Sequence, residues 1–119
     1  MNQPLPEINN VRTENGDAQL VVEMHIPPDL VHFSGHFPGL PVVPGVVQID
    51  WAVHFAQKHL PITGRFSGME NIKFQALLLP DADVELILKW DADKGRVEFT
   101  FTDENRIYSS GRLLFGKSA

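Results

Sequence analysis

Residues 31–60 read VHFSGHFPGLPVVPGVVQIDWAVHFAQKHL, and the change of character at Pro44-Gly45 decides the fold. The first half carries prolines at 38, 41 and 44 and glycines at 35, 39 and 45, which exclude a helix or a central strand. It is too apolar for a solvated loop. A buried, rigid loop must satisfy its backbone groups through specific contacts, so this one is a site candidate. Val46 to Leu60 lacks both proline and glycine. Pro44 suits the start of a helix, where a missing N–H costs nothing, and Pro61 and Gly64 terminate it. Val46, Val47, Ile49, Trp51, Ala52, Val53, Phe55 and Ala56 leave almost no polar stripe before Gln57 and Lys58. That pattern predicts a helix buried on nearly all sides.

Working outward, Leu20, Val22, Met24 and Ile26 alternate with Val21, Glu23 and His25 as a strand that Pro27-Pro28 ends. Residues 1–16 are polar and close on the turn pair Asn15-Gly16, so they read as a lead-in segment or a short edge element before a domain spanning 17–119. Downstream, Ile72, Phe74 and Ala76 share one parity, as do Val84, Leu86, Leu88 and Trp90, and then Val97, Phe99 and Phe101. Asp91–Gly95 and Asp103–Asn105 read as turns, and Ile107 to Phe115 as the last strand. One strand, one apolar helix and about four antiparallel strands predict an α+β domain, a sheet wrapped around the helix.

The chain has 119 residues, the size of one domain. It contains no cysteine, which excludes a disulfide scaffold, a cysteine zinc site and thiolate chemistry. Ten basic against fifteen acidic residues give a net charge of −5, the opposite of a nucleic-acid or anionic-membrane binder. The N-terminus has neither the basic start nor the apolar core of a signal peptide, and no stretch is long and apolar enough to span a membrane. A cytoplasmic protein is therefore expected.

Asp50 stands out, because it lies between Ile49 and Trp51 in the most apolar part of the chain. Such a carboxylate must find a partner, reach a polar cleft or stay protonated; a structural carboxylate is the plain alternative to a functional one. All five histidines (25, 32, 36, 54 and 59) fall between the first strand and the helix end. His25 and His59 read as surface residues. His32 and His36 flank Gly35 in the rigid loop, and His54 follows Asp50 by one helical turn. A metal site from His32, His36, Asp50 and His54 is disfavoured by Gly35 and Pro38 and by the missing HExxH pattern. Neither a metal nor a cofactor is expected.

The run His36-Phe37-Pro38-Gly39-Leu40-Pro41-Val42-Val43-Pro44-Gly45, followed by Asp50, resembles the signature of the FabZ/FabA 3-hydroxyacyl-ACP dehydratases. Every proline and glycine of that signature is present, as is the spacing of histidine to acid. Met69–Phe74 and Pro80-Asp81 are similar to the next strand of the same family, and the likeness runs over residues 18–115. The resemblance implies the hot-dog fold, a homodimer, and loss of water from a 3-hydroxyacyl thioester of acyl carrier protein or CoA to give a trans-2-enoyl thioester. It implies that His36 is the base and Asp50 the acid, contributed by different subunits, with the carboxyl kept protonated by burial. It further implies that the Gly45 amide holds the thioester oxygen and that the Val42 carbonyl orients the His36 ring. Among the phenylalanines, Phe37 is expected at the substrate rather than in the core because it adjoins His36. Asp50 matches the FabA branch, since FabZ-type sequences carry Glu there. Val43 replaces the usual Met, and His54 stands where Gln is usual, able to bond Asp50.

Short single-domain dehydratases of aryl-polyene gene clusters look similar as well, so fatty-acid and aryl-polyene-type biosynthesis are both implied pathways. A hot-dog acyl-thioesterase using Asp50 to activate water, and a non-catalytic acyl-binding partner subunit, are the alternatives. Lys73, Arg106 and Arg112 are candidates for docking an acidic carrier.

Overall fold

The computed structural model describes residues 5–14, 16, 18–28 and 42–116. In chain order these form β1 (Glu7–Glu14), β2 (Gln19–His25), α1 (Gly45–His59), β3 (Arg65–Phe74), β4 (Asp83–Asp91), β5 (Arg96–Thr102) and β6 (Ile107–Gly116). The strands make one antiparallel sheet of six in the order β1-β2-β4-β5-β6-β3. This is the hot-dog arrangement, one helix against one antiparallel sheet.

Residues 7–14 take the edge-element form. They pair with β2 from Glu7 opposite His25 to Glu14 opposite Gln19. Their side chains are almost all exposed, so no apolar alternation marks them as a strand. The other three meander strands follow the alternation. Leu20, Val22 and Met24 of β2, Val84, Leu86 and Leu88 of β4, and Val97, Phe99 and Phe101 of β5 are buried. They meet Val47, Trp51, Ala52, Phe55 and Ala56 of α1 in a single core. Trp51 is completely buried, and truncating such a side chain to alanine costs about 3–5 kcal/mol.

The helix boundaries have local causes. Pro44 is the N-cap, with φ −60°, the value its ring imposes. Leu60 leaves the helix with φ −97° and ψ 151°, as a residue before proline must. The last turn carries Lys58 and His59, which suit the negative end of the helix dipole.

The helix is not buried on all sides. Val46, Asp50, His54 and Gln57 form an exposed stripe at the spacing of a helical face. Val46, apolar yet 75% exposed, hides that stripe from a count of polar residues. The opposite face carries Gln48, buried with Ala52 and Phe55.

β3 lies at the far end of the sheet, with a register shift between Glu70 and Lys73 where Asn71 takes φ +54°. The irregularity brings Ile72 against β6 at Gly111, where a β-carbon would lie 2.4 Å from Ile72 Cδ1 and 2.9 Å from Phe99 Cε2. From this edge, residues 75–82 return the chain to the middle of the sheet. Leu78 is buried on the way, and its carbonyl accepts the Val43 N–H at 2.8 Å.

Candidate active site

The site begins where the proline-rich loop enters the helix. His36 and Phe37 lie outside the described residues. Val42 and Gly45 are described and half-buried, and Gly45 is the first residue of α1. The Pro44 carbonyl accepts the N–H groups of Val47 (3.0 Å) and Gln48 (3.2 Å), so it points along the helix. The Gly45 N–H, on the other side of that same trans peptide, points out of the N-terminus. There the helix dipole favours developing negative charge.

Phe74, the last residue of β3, stands against Gly45. A β-carbon at Gly45 would lie 2.4 Å from Phe74 Cζ and 2.7 Å from Cε1. The ring is 54% exposed, and with Val46, Leu77, Leu79 and Met69 it belongs to the exposed large apolar residues of this chain.

Asp50 is exposed, which corrects the expectation that its own helix buries it. The neighbours Ile49 and Trp51 point toward the core while Asp50 points away, as 100° per residue requires. Among the described residues no hydrogen bond joins Asp50 to His54. His54 is also exposed, and its ring meets Phe55 edge-on with centroids 5.1 Å apart.

The outlying histidines sit on the surface. His25 Nδ1 lies 2.7 Å from Asp83 and Nε2 3.5 Å from Asp81. The hydrogen bond to Asp83 raises its pKa above the ordinary imidazole value, with the charges of Asp83, Glu7 and Asp81 adding to it. His59 is shifted the other way, first by burial and then by the positive charge of Lys58 and by His54.

The three basic candidates do not form one patch. Lys73 and Arg112 line a groove of about 230 Å³ with Thr100 and Ser110, and Arg112 lies 3.4 Å from Glu70. Arg106 belongs to the β5–β6 turn, beside Asp103 and Tyr108. A groove of about 510 Å³ runs between β1, β2, β4 and that turn, lined by Glu23, Asp83, Glu85, Asp103 and Glu104. It is acidic and includes neither Gly45 nor Asp50, so it is separate from the candidate site.

Sequence reasoning missed Gln48. It is 3% exposed, and it and Ser109, 0% exposed, are the buried polar side chains among the described residues. Its position on the 48–52–55 stripe with Ala52 and Phe55 was the available signal.

Comparison with known proteins agrees with this architecture. A chain of the dehydratase heterocomplex ApeI:P from Xenorhabdus doucetiae is similar, with a TM-score of 0.88 and 32% identity over 96% of this chain and 100% of that one. An uncharacterized protein from Erwinia carotovora subsp. atroseptica is similar at a TM-score of 0.85 and 34% identity, over 96% and 98% of the two chains. A variant of the PpsC dehydratase domain from Mycobacterium tuberculosis shares the fold, with a TM-score of 0.70 and 15% identity, over 96% of this chain and 45% of that one. No helix among the described residues is long and apolar enough to cross a membrane. The family described as ApeI-like, ApeI dehydratase, matches residues 12–112, and the chain belongs to that family of dehydratases.

Proposed function

We propose that this protein eliminates water from a 3-hydroxyacyl thioester, carried on acyl carrier protein or CoA, to give the trans-2-enoyl thioester. Membership of the ApeI-like family supports aryl-polyene-type biosynthesis as the setting, and we assign the protein to the cytoplasm. His36 removes the C2 proton, since an imidazole with a reference pKa near ~6.5 can act as a base at neutral pH. Asp50 passes a proton to the departing hydroxyl. The Gly45 N–H receives the thioester oxygen as charge develops on it; the Val42 carbonyl is assigned the orienting of His36, and Phe37 a role in substrate binding.

The observation that carries this reading is the exposure of Asp50 on the helix stripe of a dehydratase-family chain. An acid that must work in a water-poor site yet lies open on its own subunit needs a second chain to cover it. The exposed apolar residues and the edge strand β3 support such a partner. We assign the partner as a second copy of this chain. The similar ApeI:P chain is part of a heterocomplex, which supports a second reading with a different chain as partner.

The test is product analysis from purified protein supplied with 3-hydroxyacyl thioesters, alongside its mass in solution. Enoyl thioester from a dimer is expected. Free acid would point to a thioesterase, and a strictly monomeric active enzyme would remove the shared site.

A further inference from the structure

Two buried polar side chains face each other between the helix and the sheet, and the reaction as proposed does not use either. The Ser109 hydroxyl donates to Gln48 Oε1 at 2.7 Å, and Gln48 Nε2 donates to the Val43 carbonyl at 3.1 Å. The Val43 N–H in turn donates to the Leu78 carbonyl at 2.8 Å. Val43 is therefore held on both sides by groups that belong to different elements: its carbonyl by the helix and, through Ser109, by β6; its amide by the β3–β4 connection.

These bonds fix the peptide planes that matter. The Val43 N–H and the Val42 carbonyl belong to one trans peptide and point in opposite directions. The Leu78 bond therefore aims the Val42 carbonyl. The Gln48 bond fixes the next plane, between Val43 and Pro44. The plane after that carries the Gly45 N–H, already set by the Pro44 carbonyl in the first helical turn. Three successive peptides are thus locked, and the two at the ends carry the carbonyl and the amide assigned to the chemistry. Buried amide and hydroxyl groups are costly unless satisfied, and an apolar pair would fill the same space. Their presence in an otherwise apolar core points to a task that packing alone does not supply.

We propose that Gln48, oriented by Ser109, is a positioning residue that sets the main chain of Val42–Gly45 for catalysis. This rests on the dehydratase reading above. Neither side chain touches substrate; each acts through the backbone.

The test compares Gln48→Met, which keeps side-chain length, with Ser109→Ala and the double variant, all assayed well below their melting temperatures. Expected is a fall in kcat of tenfold or more for Gln48→Met with KM within threefold, because substrate still binds while its transition-state contacts are misaligned. Ser109→Ala, the variant least disturbing to the fold, should give a smaller fall in kcat. The double variant should match Gln48→Met alone, because the two act as one unit. Faster hydrogen exchange of the Val43 amide in Gln48→Met is the readout independent of turnover. Lower melting temperatures with unchanged kcat and unchanged exchange would overturn the proposal, as would full additivity of the two substitutions. A wild-type enzyme without dehydratase activity would instead overturn the reaction assignment, and unchanged Val43 exchange in that case would overturn the clamp itself.

Discussion

Adding one methyl group at Gly45 tests the helix N-terminus as an oxyanion site. The new carbon would lie 2.4, 2.7 and 3.0 Å from three ring carbons of Phe74. Carbon contacts settle near ~3.5–4.0 Å, so the ring must retreat by about 1 Å. Phe74 is largely exposed and only the far end of its ring is involved, so it can turn aside. An off-rotamer ring costs about 0.5–1.5 kcal/mol. Replacing glycine by alanine within a helix returns up to about 1 kcal/mol. The two nearly cancel, and Gly45→Ala should melt within a few degrees of the wild type. Activity should behave differently. The methyl and the displaced ring both crowd the approach to the Gly45 N–H, and losing one such donor lowers kcat by about 10²–10³. The assay is steady-state formation of enoyl thioester beside a thermal melt. The Gly45→Ala/Phe74→Ala variant separates the two obstructions, since recovery there identifies the ring. Wild-type kcat/KM in Gly45→Ala, with the fold intact, would refute the placement of the thioester oxygen at this amide.

Gly111→Ala has no such escape, because Ile72 and Phe99 are packed against that position, and it should lower stability by about 1–3 kcal/mol in a denaturant melt. Val46→Asp and Met69→Asp, on the exposed helix stripe and on β3, should shift the purified protein toward monomer in sedimentation and lower activity in parallel. The histidines should titrate apart by NMR, His25 above and His59 below the ordinary imidazole value of ~6.5. The linkage signs are then opposite. The His25–Asp83 contact stabilises fully below the unfolded pKa and is lost as pH rises through the raised folded value. The His59 contribution is present above the unfolded pKa and is lost as pH falls through the depressed folded value. Asp83→Asn should bring His25 back toward ~6.5 and leave His59 unchanged.

Where the sequence pattern and the environment coincide, the fold was legible. Pro44 and Pro61 bracket α1 because proline acts through local sterics, and the β4–β5 hairpin shows itself because one face of each strand is buried. β1 was ambiguous because an edge strand with both faces in water needs no alternation. β3 kept part of its parity but not its register, which the irregularity at Asn71 shifts. On the helix, apolar content was misleading. Val46 is apolar and exposed while Gln48 is polar and buried, so only the 3.6-residue spacing separates the two faces. Asp50 was found for its chemistry, yet its burial was misjudged from its sequence neighbours, whose side chains point elsewhere. The Gln48–Ser109 contact joins residues 61 positions apart, and no local pattern pairs them.

The most direct measurement is turnover of a 3-hydroxyacyl thioester by the purified wild type, His36→Ala and Asp50→Asn, with products resolved by mass. The wild type should form the enoyl thioester with loss of water. Each variant should be slower by about 10²–10⁴, the usual worth of a general acid or base. Mixing the two inactive variants should restore part of the activity, because a mixed dimer then holds one intact site. Release of free acid by the wild type, or undiminished dehydration by either variant, would contradict the account.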